Sequence, residues 1–320
     1  MHIDSRGIIF RQVKTTDMRR MLLIFTEKCG KLSVGTSLPE KNQKHASLAL
    51  RPFTCGNYSI YKGRNYYNLD RVETLKSFYG IGEDLDKYMA ASLALELTEK
   101  IVPEEVPQPR IFALLLDFLN EMELRKRKHT TLLLAFETKL LFALGTFPRL
   151  DSCASCGSKE NPEFFSVPDG GVICRRCFED HNATKAFGTG PALSGTSKVP
   201  GTGSVVSDTS KVPGTGSAVS DTSKVPGTGS AVSGTLKVSS EKPADNKTLK
   251  STDDERLIFK LNFDIVKVLN YFASNSLKNF RNITLQQDVE SELQDMMRSY
   301  ISFHMDVGKL KSDKMLNDRI

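Results

Sequence analysis

Residues 20–34 read RMLLIFTEKCGKLSV, and this stretch decides the architecture of the first quarter of the chain. Leu22, Leu23, Ile24 and Phe25 form a short apolar run, Lys28-Cys29-Gly30-Lys31 has the polar and glycine content of a hairpin turn, and Leu32–Val34 begins a return strand. Upstream, Gly7–Val13 is rich in β-formers. Downstream, Leu48–Phe53 and Tyr58–Tyr61 read as further strands, and Lys62-Gly63-Arg64 makes a second turn into Tyr66–Val72. Five short antiparallel strands within about 75 residues suit a small closed barrel, and basic hairpins on it suit an OB-fold over residues 1–80. The aromatics Phe10, Phe25, Phe53, Tyr58, Tyr61, Tyr66 and Tyr67 alternate with polar residues. Such side chains serve either as core or as platforms on which unpaired bases stack.

Charge divides along the chain. Residues 1–80 hold 14 Lys and Arg against 6 Asp and Glu, whereas residues 81–182 hold 12 against 17. A basic barrel points to a polyanion held by phosphate contacts, although a solvated basic surface has the same composition. The candidate contacts are Arg11, Lys14, Arg19, Arg20, Lys28, Lys31, Arg51, Lys62 and Arg64.

From Gly82 the period changes to that of helices. Glu83–Val102 places Leu85, Met89, Leu93 and Leu97 on one stripe, Pro103–Pro109 interrupts, Arg110–Leu124 is amphipathic, and Thr130–Leu144 is apolar nearly all round and so reads as central. This is the first part of a helical domain, residues 81–150. Arg125-Lys126-Arg127-Lys128 lies between the last two helices, as an anion-binding cluster or as a solvated helix end.

Residues 151–182 carry Cys153-Ala-Ser-Cys156 and Cys174-Arg-Arg-Cys177, separated by seventeen residues. Two residues between thiolates turn both sulfurs onto one tetrahedral ion, and a loop of roughly 15 to 20 residues returns the second pair to it. Two disulfides or four free thiols are the competing readings. Redox Cys-x-x-Cys pairs normally occur once, on a helix after a strand, which favours Zn2+ held by all four cysteines. Four thiolates close the shell, so the zinc is expected to be structural. No His is followed two residues on by Glu, so the deaminase pattern is absent. Gly30-Lys31 and Gly308-Lys309 each precede Leu, so the phosphate-loop motif fails. The chain is therefore expected not to be an enzyme.

Residues 183–252 are of another composition. Ser194, Ser207, Ser220 and Ser233 start a unit that recurs every 13 residues, Ser-Asp-Thr-Ser-Lys-Val-Pro-Gly-Thr-Gly-Ser-Ala-Val in its fullest form. Rich in Gly, Ser, Thr and Pro, it cannot bury a core and reads as a disordered insertion. Helical pattern resumes over residues 253–320, in Leu257–Phe272 and Leu285–His304, so the insertion interrupts one helical domain. The fold class is α+β. No 18-residue apolar window and no signal peptide are present, and Cys29 and Cys55 alone stand outside the zinc pattern. A soluble, intracellular protein with no membrane role is expected.

A basic barrel, a helical domain, an embedded four-Cys knuckle and a closing helix resemble the bacterial RecO family of recombination mediators. Thr26-Glu27-Lys28-Cys29-Gly30-Lys31 is similar to the family's barrel hairpin, and Leu50-Arg51-Pro52-Phe53 to the strand after it. The most specific segments are Phe136–Leu141 running to Gly145, and Leu150-Asp-Ser-Cys-Ala-Ser-Cys-Gly157. Arg298–His304 with Lys311-Ser312 resembles the closing helix and tail. The family's basic loop is thinned here to Lys41 and Lys44 between Val34 and Ala49. The resemblance implies binding of single- and double-stranded DNA, strand annealing, and work with the partner RecR to load recombinase on DNA coated with single-strand-binding protein, in the bacterial cytoplasm at the nucleoid. It also implies contact with that protein's acidic C-terminal tail. For the tail, apolar helix faces beside Arg125, Lys126, Arg127, Lys128, Lys139 and Arg149 are the expected site. A zinc-ribbon protein of transcription or translation, with the barrel on RNA, is the alternative.

A chain lacking residues 190–245 should fold as the full chain does, because the repeats have no apolar surface to pack and a long loop costs little closure entropy. Chemical denaturation checks this, and a loss of more than about 1 kcal/mol on deletion would contradict it.

Overall fold

The computed structural model describes residues 1–14, 20–36, 48–160, 162–186, 257–261, 263–308 and 310–312. Arg19, the side chain of Lys14, residues 37–47 of the thinned basic loop, and the expected insertion beyond residue 186 lie outside the described residues.

Five strands, β1 (His2–Lys14), β2 (Arg20–Thr26), β3 (Gly30–Thr36), β4 (Thr54–Lys62) and β5 (Tyr67–Ser77), close into a barrel in the order β1-β2-β3-β5-β4, the OB-fold expected. Closure differs from an all-antiparallel barrel at one seam, where β3 and β5 run parallel and pair Val34 with Tyr67 and Gly35 with Asn68. Period-2 alternation explains the continuous apolar run in β2. Leu22 and Ile24 point into the barrel with Ile9, Leu32, Val34, Tyr58, Ile60 and Leu69. Leu23 and Phe25 point out, with Ile8 and Phe10, into a second core shared with the helices. Gly7 is required where β1 crosses this interior, since a Cβ there would meet Ile24 and Tyr58 at 2.9 Å.

Leu48–Phe53 is not the strand its sequence suggests. Arg51 N–H donates to the Leu48 carbonyl at 3.1 Å, Pro52 has no donor for a ladder, and Phe53 has φ of 59°. The segment instead closes one end of the barrel, with Leu50 buried and the Tyr58 hydroxyl donating to the Ala49 carbonyl at 2.7 Å.

Helix α1 (Leu85–Ile101) is capped by Asp84, whose carboxylate accepts from the Asp86 and Lys87 N–H groups. Helix α2 (Pro109–Leu124) begins on proline, which needs no donor there. Helix α3 (His129–Leu144) is buried continuously over Thr131–Thr138, in keeping with its apolar circumference, and ends on Gly145 at φ of 75°. Beyond it lie β6 (Pro162–Ser166), β7 (Gly171–Cys174) and α4 (Arg175–Ala186). The chain described from Leu257 opens with β8 (Ile258–Lys260), then α5 (Phe263–Ser274) and α6 (Gln287–Met305).

The expected helix over Leu257–Phe272 is thus split. Ile258, Phe259 and Lys260 pair antiparallel with Ser166, Phe165 and Phe164, making the sheet β7-β6-β8. The open edge of β6 overrides a four-residue apolar spacing that Leu257 and Leu261 share with a helix. Met1–Ala186 and the described residues from Leu257 onward form one compact unit, so barrel, helices and sheet share a core.

Arg125 is the other departure. Only 1 % exposed, it is neither a solvated helix end nor an anion site. Its guanidinium donates to the carbonyls of Phe280 (2.6 Å), Arg281 (2.9 Å) and Ile283 (2.6 Å), and its Nε to that of Lys128 (3.0 Å). A planar fork of donors meets several convergent carbonyls, of which that of Phe280 also accepts from the Ile283 N–H at 3.1 Å. Arg281 returns the contact by a bidentate bond to the buried Glu121 carboxylate at 2.7 and 3.0 Å. Replacing Arg125 with Ala should cost about 3 kcal/mol in urea unfolding, because several buried carbonyls lose their donor together. A loss below about 1 kcal/mol would show that the carbonyls find other partners.

Candidate metal centre and nucleic-acid interface

The first knuckle follows Arg149, whose N–H and carbonyl pair with the Gly170 carbonyl (3.0 Å) and the Val172 N–H (2.9 Å). Gly171 allows that approach, since a Cβ there would sit 2.3 Å from the Arg149 oxygen. Cys153 and Cys156 then turn tightly, with Gly157 N–H donating to the Cys153 carbonyl and Gly157 in the left-handed region. The second pair is not in a loop: β7 delivers Cys174, and the first turn of α4 brings Cys177 back beside it. This is strand-then-helix geometry, but the four thiols gather in one cluster, all within 4.8 Å of one another.

The cluster fits a tetrahedral metal. Metal–sulfur bonds of about 2.3 Å put sulfurs about 3.8 Å apart, and Cys156 Sγ lies 3.8 Å from Cys174 Sγ. Backbone N–H groups of Cys156 and Cys174 point at Cys153 Sγ, at 3.5 and 3.4 Å. Burial pushes the Cys153 thiol up, but these donors and the Cys156 thiol outweigh it and hold it down to about 6. Burial and the neighbouring sulfurs raise Cys177. Four thiols this close do not all ionise unless a cation joins them, and four thiolates leave that cation no open position for catalysis. Around the cluster, Asp169 accepts from Ser155 Oγ at 2.9 Å, bonds Ser166 Oγ, and lies 3.1 Å from His181 Nε2. One carboxylate therefore joins the first knuckle, the β6–β7 turn and α4.

A second feature lies on the barrel. Residues of β3, the β4–β5 turn and the Glu104–Glu105 segment line a groove of about 840 Å³. Of the basic candidates it brings together Lys31, Lys62 and Arg64. The turn also presents aromatics: Tyr66 is 60 % and Tyr61 39 % exposed, with ring centroids 6.3 Å apart, and His2 is edge-on to Tyr61 at 5.3 Å. Gly63 fixes this arrangement, since a Cβ there would strike the Tyr66 ring at 2.5 Å. Phe10, Phe25, Phe53 and Tyr58 are buried, so the aromatics divide into core and platform. Tyr67 stands between, half-buried, with Lys62 Nζ 5.0 Å from its ring centroid.

The remaining barrel candidates are dispersed. Arg11 pairs with Glu99 at 2.8 Å, Lys28 donates to the Asp4 carbonyl at 2.7 Å, Arg20 is half-buried on β2, and Arg51 is exposed on the turn before β4. Lys14 is placed by its backbone alone, opposite Arg20. Lys31 is tied to the Glu99 carbonyl at 2.9 Å. Glu104, Glu105, Asn65 and Asn68 also line the groove, beyond the residues that charge and pattern point to; the extended Pro103–Pro109 segment is the only sequence signal near the two glutamates.

The expected tail site is not assembled as the sequence suggests. The apolar faces of α2 and α3 are filled by Phe272, Leu277 and Phe280. Arg125 is buried, Lys139 donates to the Ala273 carbonyl at 3.2 Å with burial pushing its amine down, and Arg149 sits on the knuckle approach. Lys126, Arg127 and Lys128 are exposed and line a cleft of about 450 Å³ with His129 and Gln294. No helix among the described residues is long and apolar enough to cross a membrane.

Residues 1–78 match the family described as recombination protein O N terminal, and residues 82–187 that described as recombination protein O C terminal. The chain is 33 % identical over 178 residues to the DNA repair protein RecO of Alkaliphilus metalliredigens, covering 55 % of this chain and 72 % of that one. It is 30 % identical over 177 residues to the RecO of Caldanaerobacter subterraneus, again 55 % and 72 %, and 32 % identical over 178 residues to that of Bacillus pumilus, 56 % and 69 %.

Replacing Cys174 with Ser should abolish stoichiometric metal and lower the melting temperature by about 5–10 °C, since metal binding there is also folding energy. Elemental analysis beside a thermal melt checks both. Unchanged melting with metal absent would separate the cluster from the fold.

Proposed function

Because the chain belongs to the RecO family of DNA repair proteins, we propose that it acts as a non-enzymatic mediator of homologous recombination whose barrel groove holds a DNA strand. The coarse role, DNA repair and recombination, follows from the family itself. The finer reading is that the protein binds single- and double-stranded DNA, anneals complementary strands, and with RecR assists recombinase loading on DNA coated with single-strand-binding protein, in the bacterial cytoplasm at the nucleoid.

One observation carries this reading: exposed Tyr61 and Tyr66 stand beside Lys62 and Arg64 on the turn between β4 and β5. Stacking platforms with adjacent cations hold single strands with little sequence preference, and in OB-folds this loop is a usual contact. Arg20, Arg51 and Lys28, with Lys14, Arg19 and Arg11, remain as outlying phosphate contacts. Zn2+ on Cys153, Cys156, Cys174 and Cys177 clamps the knuckle against the helical core and takes no part in chemistry. The acidic tail of single-strand-binding protein is assigned to the cleft beside Lys126, Arg127 and Lys128. There the start of α3 has no side-chain cap and the buried Gln294 Nε2 has no hydrogen-bond partner among the described residues.

Binding of a fluorescent oligothymidylate of about 15 nucleotides, titrated against salt, tests the groove. Replacing Tyr66 with Ala should weaken binding at least about fivefold, as removal of one stack is worth about 1–3 kcal/mol. Replacing Arg64 with Ala should make the logarithmic salt slope shallower by about 0.7, the share of one phosphate that is no longer neutralised. Affinity and slope unchanged in both variants would move the strand off this face.

A further inference from the structure

The groove already contains a carboxylate. The segment Pro103–Pro109 lies along the edge of β3, where Lys31 bridges to Glu104 and Glu105 N–H donates to the Lys31 carbonyl at 3.0 Å. It is pressed there: a Cβ on Gly30 would sit 2.1 Å from the Val106 oxygen, so only glycine lets the segment approach. Glu105 has φ of 57°, a left-handed conformation that a glutamate seldom takes unless its surroundings impose it. In that conformation its Oε2 accepts from the Tyr67 hydroxyl at 2.8 Å and lies 3.4 Å from Lys62 Nζ. Those bonds hold the Glu105 carboxyl below the usual carboxylate range, Tyr67 foremost and Lys62 after it.

Lys62 is also a cation that a strand in this groove would use, so a DNA phosphate and Glu105 compete for one ammonium group. We propose that Glu105 is a specificity-determining residue of the groove, an internal anion occupying the Lys62 phosphate position. The proposal rests on the reading of the groove as the DNA-strand site. A lone small anion gains little by displacing a tethered carboxylate. A strand that stacks on Tyr66 and Tyr61 and also engages Arg64 brings enough additional contact to displace it. The groove thereby rejects isolated anions and accepts polyanions carrying bases.

The pair predicts a distinctive salt response. Affinity for a nucleic acid depends on salt through the counterions that bound cations release. With Glu105 in place, the phosphate that Lys62 takes gives up its condensed cation, but the displaced carboxylate is left to gather one, so the net release is small. In Glu105→Gln no carboxylate is left behind, and the cation that the phosphate held is released in full.

The full-length protein and Glu105→Gln are titrated with the same labelled oligothymidylate from low to moderate salt, with inorganic phosphate as competitor. Glu105→Asn, a residue better suited to positive φ, serves as a second variant. Both variants are expected to bind about two- to fivefold more tightly at low salt, the range of an exposed ion pair. Their logarithmic salt slope should be steeper by about 0.7, one further phosphate contact on a single strand. Free phosphate should compete better against the variants than against the parent, and adding Lys62→Ala should remove all three effects. Unchanged affinity and slope in both Glu105 variants, while Tyr66→Ala still weakens binding, would overturn this inference and leave the groove reading standing. If Tyr66→Ala and Arg64→Ala also have no effect, the groove reading itself fails.

Discussion

The rest of the molecule depends on β2 being buried on both faces. Leu22 and Ile24 fill the barrel, while Phe25 lies parallel to Phe10 with centroids 5.5 Å apart and edge-on to Phe112 of α2, also at 5.5 Å. Aromatic contacts of this kind fix orientation as well as burying area. An OB barrel often stands alone, but this one has a wall that is finished only by helices. Fusion to the helices brings Glu99 against Arg11 and carries the Pro103–Pro109 segment along β3. The helical half thus supplies one wall of the groove, and that wall is acidic.

The knuckle and the closing helices depend on each other in a similar way. β6 is central in a three-stranded sheet, and its second edge is covered only because β8 returns from far along the chain, with Val167 N–H donating to the Leu257 carbonyl at 2.9 Å and Leu261 N–H to that of Glu163 at 2.8 Å. Phe164 stacks on Phe178 of α4 at 3.8 Å, and Phe165 packs against Tyr300 of α6. His304 Nε2 lies 2.7 Å from the Val167 carbonyl. The four-cysteine cluster therefore sits beside a small sheet onto which the last helices of the domain are packed.

Features fixed by local chemistry were legible in the sequence: the Lys28–Lys31 turn, the Gly63 turn, the buried circumference of α3 and the spacing of four cysteines. Each follows from residues within a few positions, or from a metal-ligand spacing that tolerates little variation. Features set by distant partners were not. Ile258–Lys260 becomes a strand because β6 has an open edge, and the parallel seam between β3 and β5 comes from barrel closure. Arg125 belongs to a run of four basic residues and looks solvated, yet it faces carbonyls more than 150 positions away. The basic half of the groove could be read from charge, but Glu105 could not, since nothing near Pro103 in sequence announces β3 as its neighbour.

The central claim is that a DNA strand lies in the barrel groove with its bases on Tyr61 and Tyr66. Photocrosslinking tests it most directly, using a single strand in which 5-iododeoxyuridine replaces thymidine, bound to the full-length protein, followed by mass spectrometric mapping of the crosslinked peptides. The iodinated base couples efficiently to an aromatic ring on which it stacks. Crosslinks concentrated on the peptide containing Tyr61, Tyr66 and Tyr67 are the predicted result. Crosslinks absent from that peptide and gathered around Lys126–Lys128 would place the strand on the helical domain and contradict the account.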